Sequence, residues 1–245
     1  MDLYRALTCF KRAHILIPKS NERRFEIEYE IFFAYYVAQK YQEAVEAFEG
    51  SRLIDAPATF PVFRDLLIAL YDAYMKIDLP ERACRILGLL DAIDACSANR
   101  LRLETAITNV DFPGMVDAGN AVGNSGAVDE FITTYLAEEK SVSKAKTLNA
   151  ILPGAGYYYI GQKRSAITSF VINALFIAAA YQLFDRGYIP AGIIVASLET
   201  GWYFGGINGA GLEAKQYNEN LYSRLSRETL ERERLFPILM IEKGF

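Results

Sequence analysis

One histidine, His14, and three cysteines, Cys9, Cys84 and Cys96, are the only imidazole and thiol groups in this chain. The cysteines are widely spaced and fit neither a zinc pattern nor a disulfide framework, so they are expected to be small buried hydrophobes in helices. His14 has no Cys, Asp or Glu beside it at ligand spacing; it gives no start to a metal site or a histidine-based triad and is expected to be an ordinary helix residue. No glycine run ends in the Gly-Lys-Ser/Thr of a phosphate loop. With no nucleophile paired to a base, no metal cluster and no cofactor loop, the expectation is a non-enzyme without metal or cofactor. Excess positive charge is also missing: 26 Lys and Arg against 30 Asp and Glu leave a net charge of -4 and no basic face for nucleic acid. At the amino end, Asp2, Arg5, Lys11 and Arg12 interrupt any apolar core of a signal peptide, so no cleavable export signal is expected there.

What the chain has is apolar length. Ser165 to Phe184 carries no charge over about 20 residues, roughly what a helix needs to cross the hydrocarbon core. After Asp185-Arg186-Gly187, the run Tyr188 to Ile207 is of similar length and carries a single charge, Glu199. Such a short break permits only an antiparallel return, which predicts a transmembrane helical hairpin over 165–207; the alternative is a pair of buried helices in a soluble core. Lys140, Lys144, Lys146, Lys163 and Arg164 precede the first run, and no acidic residue lies between Ser141 and Phe184. The positive-inside rule then puts both hairpin ends in the cytoplasm.

The first half is charged and periodic. Ala6, Phe10, Ala13 and Pro18 match the second helix of a tetratricopeptide repeat; Tyr35, Tyr41, Ala44, Phe48, Ser51 and Pro57 form a next unit, and Tyr74, Pro80, Ala83, Leu87 and Leu90 a third. Ala6, Ala44 and Ala83 are 38 and 39 residues apart, longer than the usual period of about 34, so the form is divergent. In 24–36 and 63–75 apolar side chains recur at helical spacing with acids opposite. Stacked pairs would make a solenoid with a concave surface for a partner, on which Tyr35, Tyr36, Tyr71 and Tyr74 are the groove candidates, with core positions as their alternative. The chain opens in a second-helix pattern, so either residues are missing upstream or 2–18 caps the next unit alone. Beyond Ala95 the repeat fades, and 111–126, rich in Gly, Pro, Asn and Asp, is expected to be turns.

In the second half, 148–161 is too short to span and is expected to be re-entrant, interfacial or a plain loop, with Tyr157, Tyr158 and Tyr159 at headgroup depth. Gly201, Gly205 and Gly209 make a tandem GxxxG stripe whose partner is the first crossing or a second copy of the chain. Asn173 and Glu199 each lie about 12 Å from the same hairpin end and are expected to meet, as a structural hydrogen bond or as stations of a proton or ion relay. A carboxyl in lipid is costly enough to need a partner or a watered cavity. The six basic and six acidic residues from Gly209 onward balance, so attraction to anionic lipid should be modest. The end of the chain, 235–241, is expected to dock on the membrane module or the interface.

The run LNAILPGAGYYYIG with Asn173-Ala174-Leu175 and ETGWYFGGINGAGLEAKQYN resembles the C-terminal hairpin of bacterial tetratricopeptide-repeat membrane proteins. Pro153, Gly154, Gly156, Tyr159, Gly161, Asn173, Glu199, Gly201, Trp202, Tyr203, Tyr217 and Asn218 carry the resemblance. It implies a bacterial envelope protein without established enzymatic activity and a periplasmic repeat domain, against the cytoplasmic side implied by charge. The expected organisation is all-α: tetratricopeptide-like repeats over 1–139, a linker and interfacial segment over 140–164, the hairpin over 165–207, and a charged amphipathic helix with apolar tail over 208–245. The expected role is an inner-membrane scaffold holding an unidentified protein partner, with lipid as the second partner and a homo-oligomer through the glycine stripe as an option. The alternative makes the hairpin, with Glu199, the working part of a transporter or envelope-assembly complex.

Overall fold

A computed structural model describes residues 3–18, 21 and 23–242. Among these the chain is all-helical, with no strand. Two compact units divide it: unit 1 is Met1–Glu130 with Glu228–Phe245, and unit 2 is Phe131–Arg227. The division falls inside two helices, α8 (Ser125–Glu138) and α12 (Ile189–Arg232). Unit 1 thus takes in residues from both ends of the chain and unit 2 the residues between them.

Unit 1 opens with α1 (Leu3–Leu16), α2 (Arg23–Val37), α3 (Tyr41–Glu49), a 3₁₀ turn at Arg52–Asp55, α4 (Phe63–Lys76), α5 (Pro80–Ile93), α6 (Ala95–Thr108) and α7 (Phe112–Val122). Each helix packs on the next in a repeat-like succession. The small residues expected at close crossings are buried: Ala44 in α3 and Ala83 in α5 are fully enclosed, with Phe48 and Leu90 a turn or two beyond. The helix pairs α2/α3, α4/α5 and α6/α7 share one turn. Gln39, Asp78 and Val110 take left-handed backbone, and Lys40, Leu79 and Asp111 donate their N–H groups back five residues, to the carbonyls of Tyr35, Tyr74 and Ala106. This is the Schellman ending of a helix.

The segment 111–126 is mostly helix, α7 over Phe112–Val122 and the start of α8 from Ser125, contrary to the expectation of turns, which are confined to 123–124. Its turn-forming residues are the ends of α7. Asp111 caps it by accepting from Gly114 N at 3.1 Å, Pro113 sits in the first turn, and Gly123 closes it at φ 76°. Gly119 lies inside because a Cβ there would meet Val128 Cγ2 at 2.7 Å. The cysteines also depart from expectation, since Cys9, Cys84 and Cys96 are exposed; Cys84 follows the enclosed Ala83 and points off the apolar stripe.

Unit 2 holds α9 (Val142–Ile151), α10 (Ala155–Tyr159), α11 (Lys163–Asp185) and most of α12. The glycines before α11 are required by packing. Gly154 has φ 93°, and a side chain there would run into the Ala166 carbonyl. At Gly156 an added Cβ would lie 2.8 Å from Ala210 Cβ and 2.9 Å from Asn149 Cβ. The expected interfacial segment is thus the end of α9, a tight turn and α10, tied by Asn149 Oδ1 accepting from Gly154 N at 2.8 Å.

Candidate functional site

In unit 1, polar side chains link one helix pair to the next. Tyr36 donates to Asp72 Oδ2 at 2.7 Å, and Tyr71 meets Thr105 Oγ1 at 2.7 Å, so α2, α4 and α6 are joined by hydroxyl rungs. Arg64 donates to Asp94 Oδ2 at 2.7 Å and Ser97 Oγ at 2.8 Å, joining the starts of α4 and α6. Around Asp72 a cavity of about 320 Å³ is walled by Tyr36, Tyr41, Lys76 and Glu104 on one side and Phe236 and Pro237 on the other. Burial pushes the carboxyls of Asp72 and Glu104 above the usual range, and for Glu104 the nearby Asp72 charge adds to it.

Residues 233–242 lie on this same face, with a short helix α13 (Pro237–Met240). Arg100 Nη2 donates to the carbonyls of Glu233 and Arg234 at 2.9 and 3.0 Å. Arg64 Nη1 donates to the Met240 carbonyl at 3.1 Å, and Glu242 N donates to Asp65 Oδ2 at 3.3 Å. Leu235, Pro237 and Met240 are buried. The expectation that 235–241 docks on a membrane module gives way to docking within the repeat unit, because α4 and α6 supply arginines that satisfy the segment's main chain.

A second cleft of unit 1, about 400 Å³, is lined by Lys11, His14, Glu28, Tyr35 and Glu46 among others. The buried Glu28 accepts from Arg24 Nε at 3.0 Å and from Arg52 N at 2.8 Å, and lies 3.0 Å from His14 Nε2. His14 is thus part of a charged cluster and not an ordinary helix residue; its partner comes from α2, beyond the reach of local spacing.

In unit 2, α11 is long and apolar enough to cross a membrane by length and composition, the one such helix among the described residues, and 17% of its apolar window is buried. Its buried residues are Ala166, Ser169, Asn173 and Ala180, whereas Ile167, Phe170, Leu175, Ile177 and Tyr181 are exposed. Helix α12 does not meet the same test. Its apolar part is diluted by Gly192, Gly201, Gly205 and Gly206 and by Ser197, Glu199 and Thr200. The two helices run antiparallel: a Cβ on Gly192 would meet the Phe184 ring at 2.7 Å, and one on Gly206 would find Ser169 Oγ at 3.9 Å. Below them, Lys140 and Asn218 exchange two hydrogen bonds of 2.8 and 2.9 Å. Tyr159 Oη accepts from Ser141 N, and Tyr203 donates to the Ala150 carbonyl.

No protein-family model, curated protein or solved structure matches this chain.

Of the four tyrosines expected on a groove, Tyr36, Tyr71 and Tyr74 are buried. Their rings fill the space between helices, and only their hydroxyls need partners; Tyr74 donates to Glu49 at 3.3 Å. Tyr35 alone is half-exposed, accepting from Lys11 Nζ at 2.7 Å. The residues that spacing missed, and that hold the segment 233–242, are Arg64, Asp65 and Arg100, which look like ordinary surface charges in sequence. Gly201 and Gly205 have open space where a Cβ would stand, while at Gly209 the room is taken by the Tyr157 hydroxyl. The stripe therefore does not seat α11, and Gly201 and Gly205 instead wall a cleft of about 780 Å³ with Arg164, Thr168 and Trp202. Asn173 and Glu199 do not bond to each other. Counting from the Ser169–Gly206 and Phe184–Gly192 neighbours, Asn173 is level with Trp202 and Tyr203, and Glu199 with Phe176 and Ile177, one turn further along. Asn173 donates to the Ser169 carbonyl at 2.6 Å, but its Oδ1 and both Glu199 carboxylate oxygens are enclosed without a hydrogen-bond partner.

Proposed function

We propose that this chain is a membrane-anchored interaction scaffold of a bacterial envelope, in which divergent tetratricopeptide-like repeats of unit 1 hold a protein partner and α11 with the apolar part of α12 forms a membrane hairpin. The observation that supports it is the inverted burial of α11. Water-soluble helices bury large apolar residues and expose polar ones; α11 buries Ala166, Ser169 and Asn173 and exposes Ile167, Phe170 and Leu175. Lipid makes that arrangement favourable, since small residues let helices approach and large apolar ones face the acyl chains. Carbonate washing of membranes followed by protease treatment of spheroplasts and inverted vesicles tests the reading. The chain should stay in the pellet, with unit 1 cut from one side only. Release into the carbonate supernatant would overturn the anchor.

A second reading makes the hairpin the working part of a transport or assembly complex. It is favoured by the enclosed, unpartnered oxygens of Glu199 and Asn173, since polar groups inside a membrane are expensive and mark working sites. Under this reading Glu199→Gln abolishes function and leaves fractionation unchanged; under the scaffold reading the same variant keeps its partner.

A further inference from the structure

We propose that the face of unit 1 made by α2, α4 and α6 is a peptide-binding surface held shut by this chain's own residues 233–242, and that its partner is a segment of the same chemistry, large apolar side chains flanking a proline at the start of a helical turn. The proposal rests on the scaffold reading for unit 1 and is independent of the membrane anchor.

The tail is gripped by its main chain. Arg100 binds the carbonyls of Glu233 and Arg234, Arg64 binds that of Met240, and Asp65 accepts the Glu242 N–H. None of these four bonds depends on which side chains the segment carries, so another segment folding into the same turn and helical turn could make them all. Selectivity comes from the apolar residues between the grips, where Leu235, Pro237 and Met240 are buried. Main-chain bonds thus supply hold and the apolar seats supply choice.

Two charged residues lie in the buried run of α4, Asp65 and Asp72; Asp72 is held by Tyr36 of α2, whereas Asp65 takes the Glu242 N–H of the tail. A helix enclosed on every side is normally apolar on every side, and a carboxylate such as Asp65 that meets the tail fits a tail that can leave it to water.

The cover is also slight and does not fill its seat. Its only regular structure is the single turn of α13, Ile238 and Leu239 remain exposed, and the cavity of about 320 Å³ stays open between Phe236 and Pro237 and the Tyr36, Asp72 and Glu104 wall. A segment with few buried side chains opens at lower cost than the helices beneath it. While it is seated, a competing peptide meets a competent surface only in the open fraction of molecules, and its apparent affinity falls by that fraction.

The test uses the full chain in detergent and a fluorescent synthetic peptide spanning Glu233 to Glu242. The double variant Leu235→Asp/Met240→Asp puts charges into the buried seats and frees the tail. It should bind the peptide with a Kd at least about tenfold below that of the unaltered chain, a gain of about 1.4 kcal/mol, and adding Arg64→Ala should weaken binding again. Equal affinity for the two chains, or no binding by a variant with intact helical circular dichroism, overturns the proposal. If the variant loses helicity, hydrogen exchange on the unaltered chain decides: amides of 235–242 should exchange about 100-fold faster than those of α4, and exchange in step with α4 makes the tail part of the core and overturns it. Carbonate release alongside tail-gated binding would remove the anchor and keep the groove; carbonate retention with a failed peptide test would do the reverse.

Discussion

Val110 is a β-branched residue in left-handed backbone, φ 58°, at a turn whose counterparts are Gln39 and Asp78. Such a residue pays about 1–2 kcal/mol for the Cβ clash, and Val110 is half-exposed, so it recovers little by burial. Val110→Gly removes the clash but adds freedom to the unfolded chain; a net stabilisation of about 0.5–1 kcal/mol is expected, seen as a raised midpoint of thermal unfolding. Asp94 is a residue of the opposite kind. Burial pushes its carboxyl up, but hydrogen bonds from Ser97 and Arg64 outweigh that and hold it at about 2, against roughly 3.9 in an unfolded chain. A depressed folded value means stabilisation that is complete above about pH 4 and disappears as the pH falls through 2. Asp94→Asn should therefore cost about 1 kcal/mol at neutral pH, allowing for its partial exposure, and progressively less as the pH falls from about 4 through 2, measured by denaturant unfolding across that range. Neither residue declares itself in sequence. The strain at Val110 needs the turn to be known, and the pairing of Arg64 with Asp94 spans 30 positions.

Periodicity made most elements of unit 1 legible: α3, α4 and α5 follow from apolar spacing, with Pro80 at the start of α5. Helix α7 did not, because its glycines and Pro113 serve as caps and close contacts, and composition alone cannot separate a cap from a turn. The tyrosines were misplaced for a related reason, as helical spacing gives the same answer for a core rung as for a groove wall. In unit 2 the apolar length of α11 was plain, but the partner of the glycine stripe was not, because register between helices depends on contacts such as Phe184 against Gly192. These glycines now separate into two classes. Gly154→Ala meets both a left-handed backbone and the Ala166 carbonyl, and should cost about 2–3 kcal/mol or prevent folding. Gly201→Ala meets open space and should favour the helix by about 1 kcal/mol. Melting in detergent distinguishes them, and a loss of stability in Gly201→Ala would show that another helix occupies the stripe.

At the scale of the whole molecule, the repeat unit is discontinuous in the chain: residues 131–227 stand between its first 130 residues and its closing segment. No local signal reports such a return. Leu235 and Met240 look like any apolar tail until Arg64 and Arg100 are seen beneath them. The return orders events during synthesis. At roughly 5–20 residues per second, the 97 residues of unit 2 separate emergence of the repeat helices from that of their cover by about 5–20 s. During that interval Arg64 and Arg100 are already made but lack the carbonyls of residues 233, 234 and 240, so under the proposed reading a partner met while the chain is being made would face no competitor. The newborn protein and the finished one would then differ in what they can capture, without any change in composition.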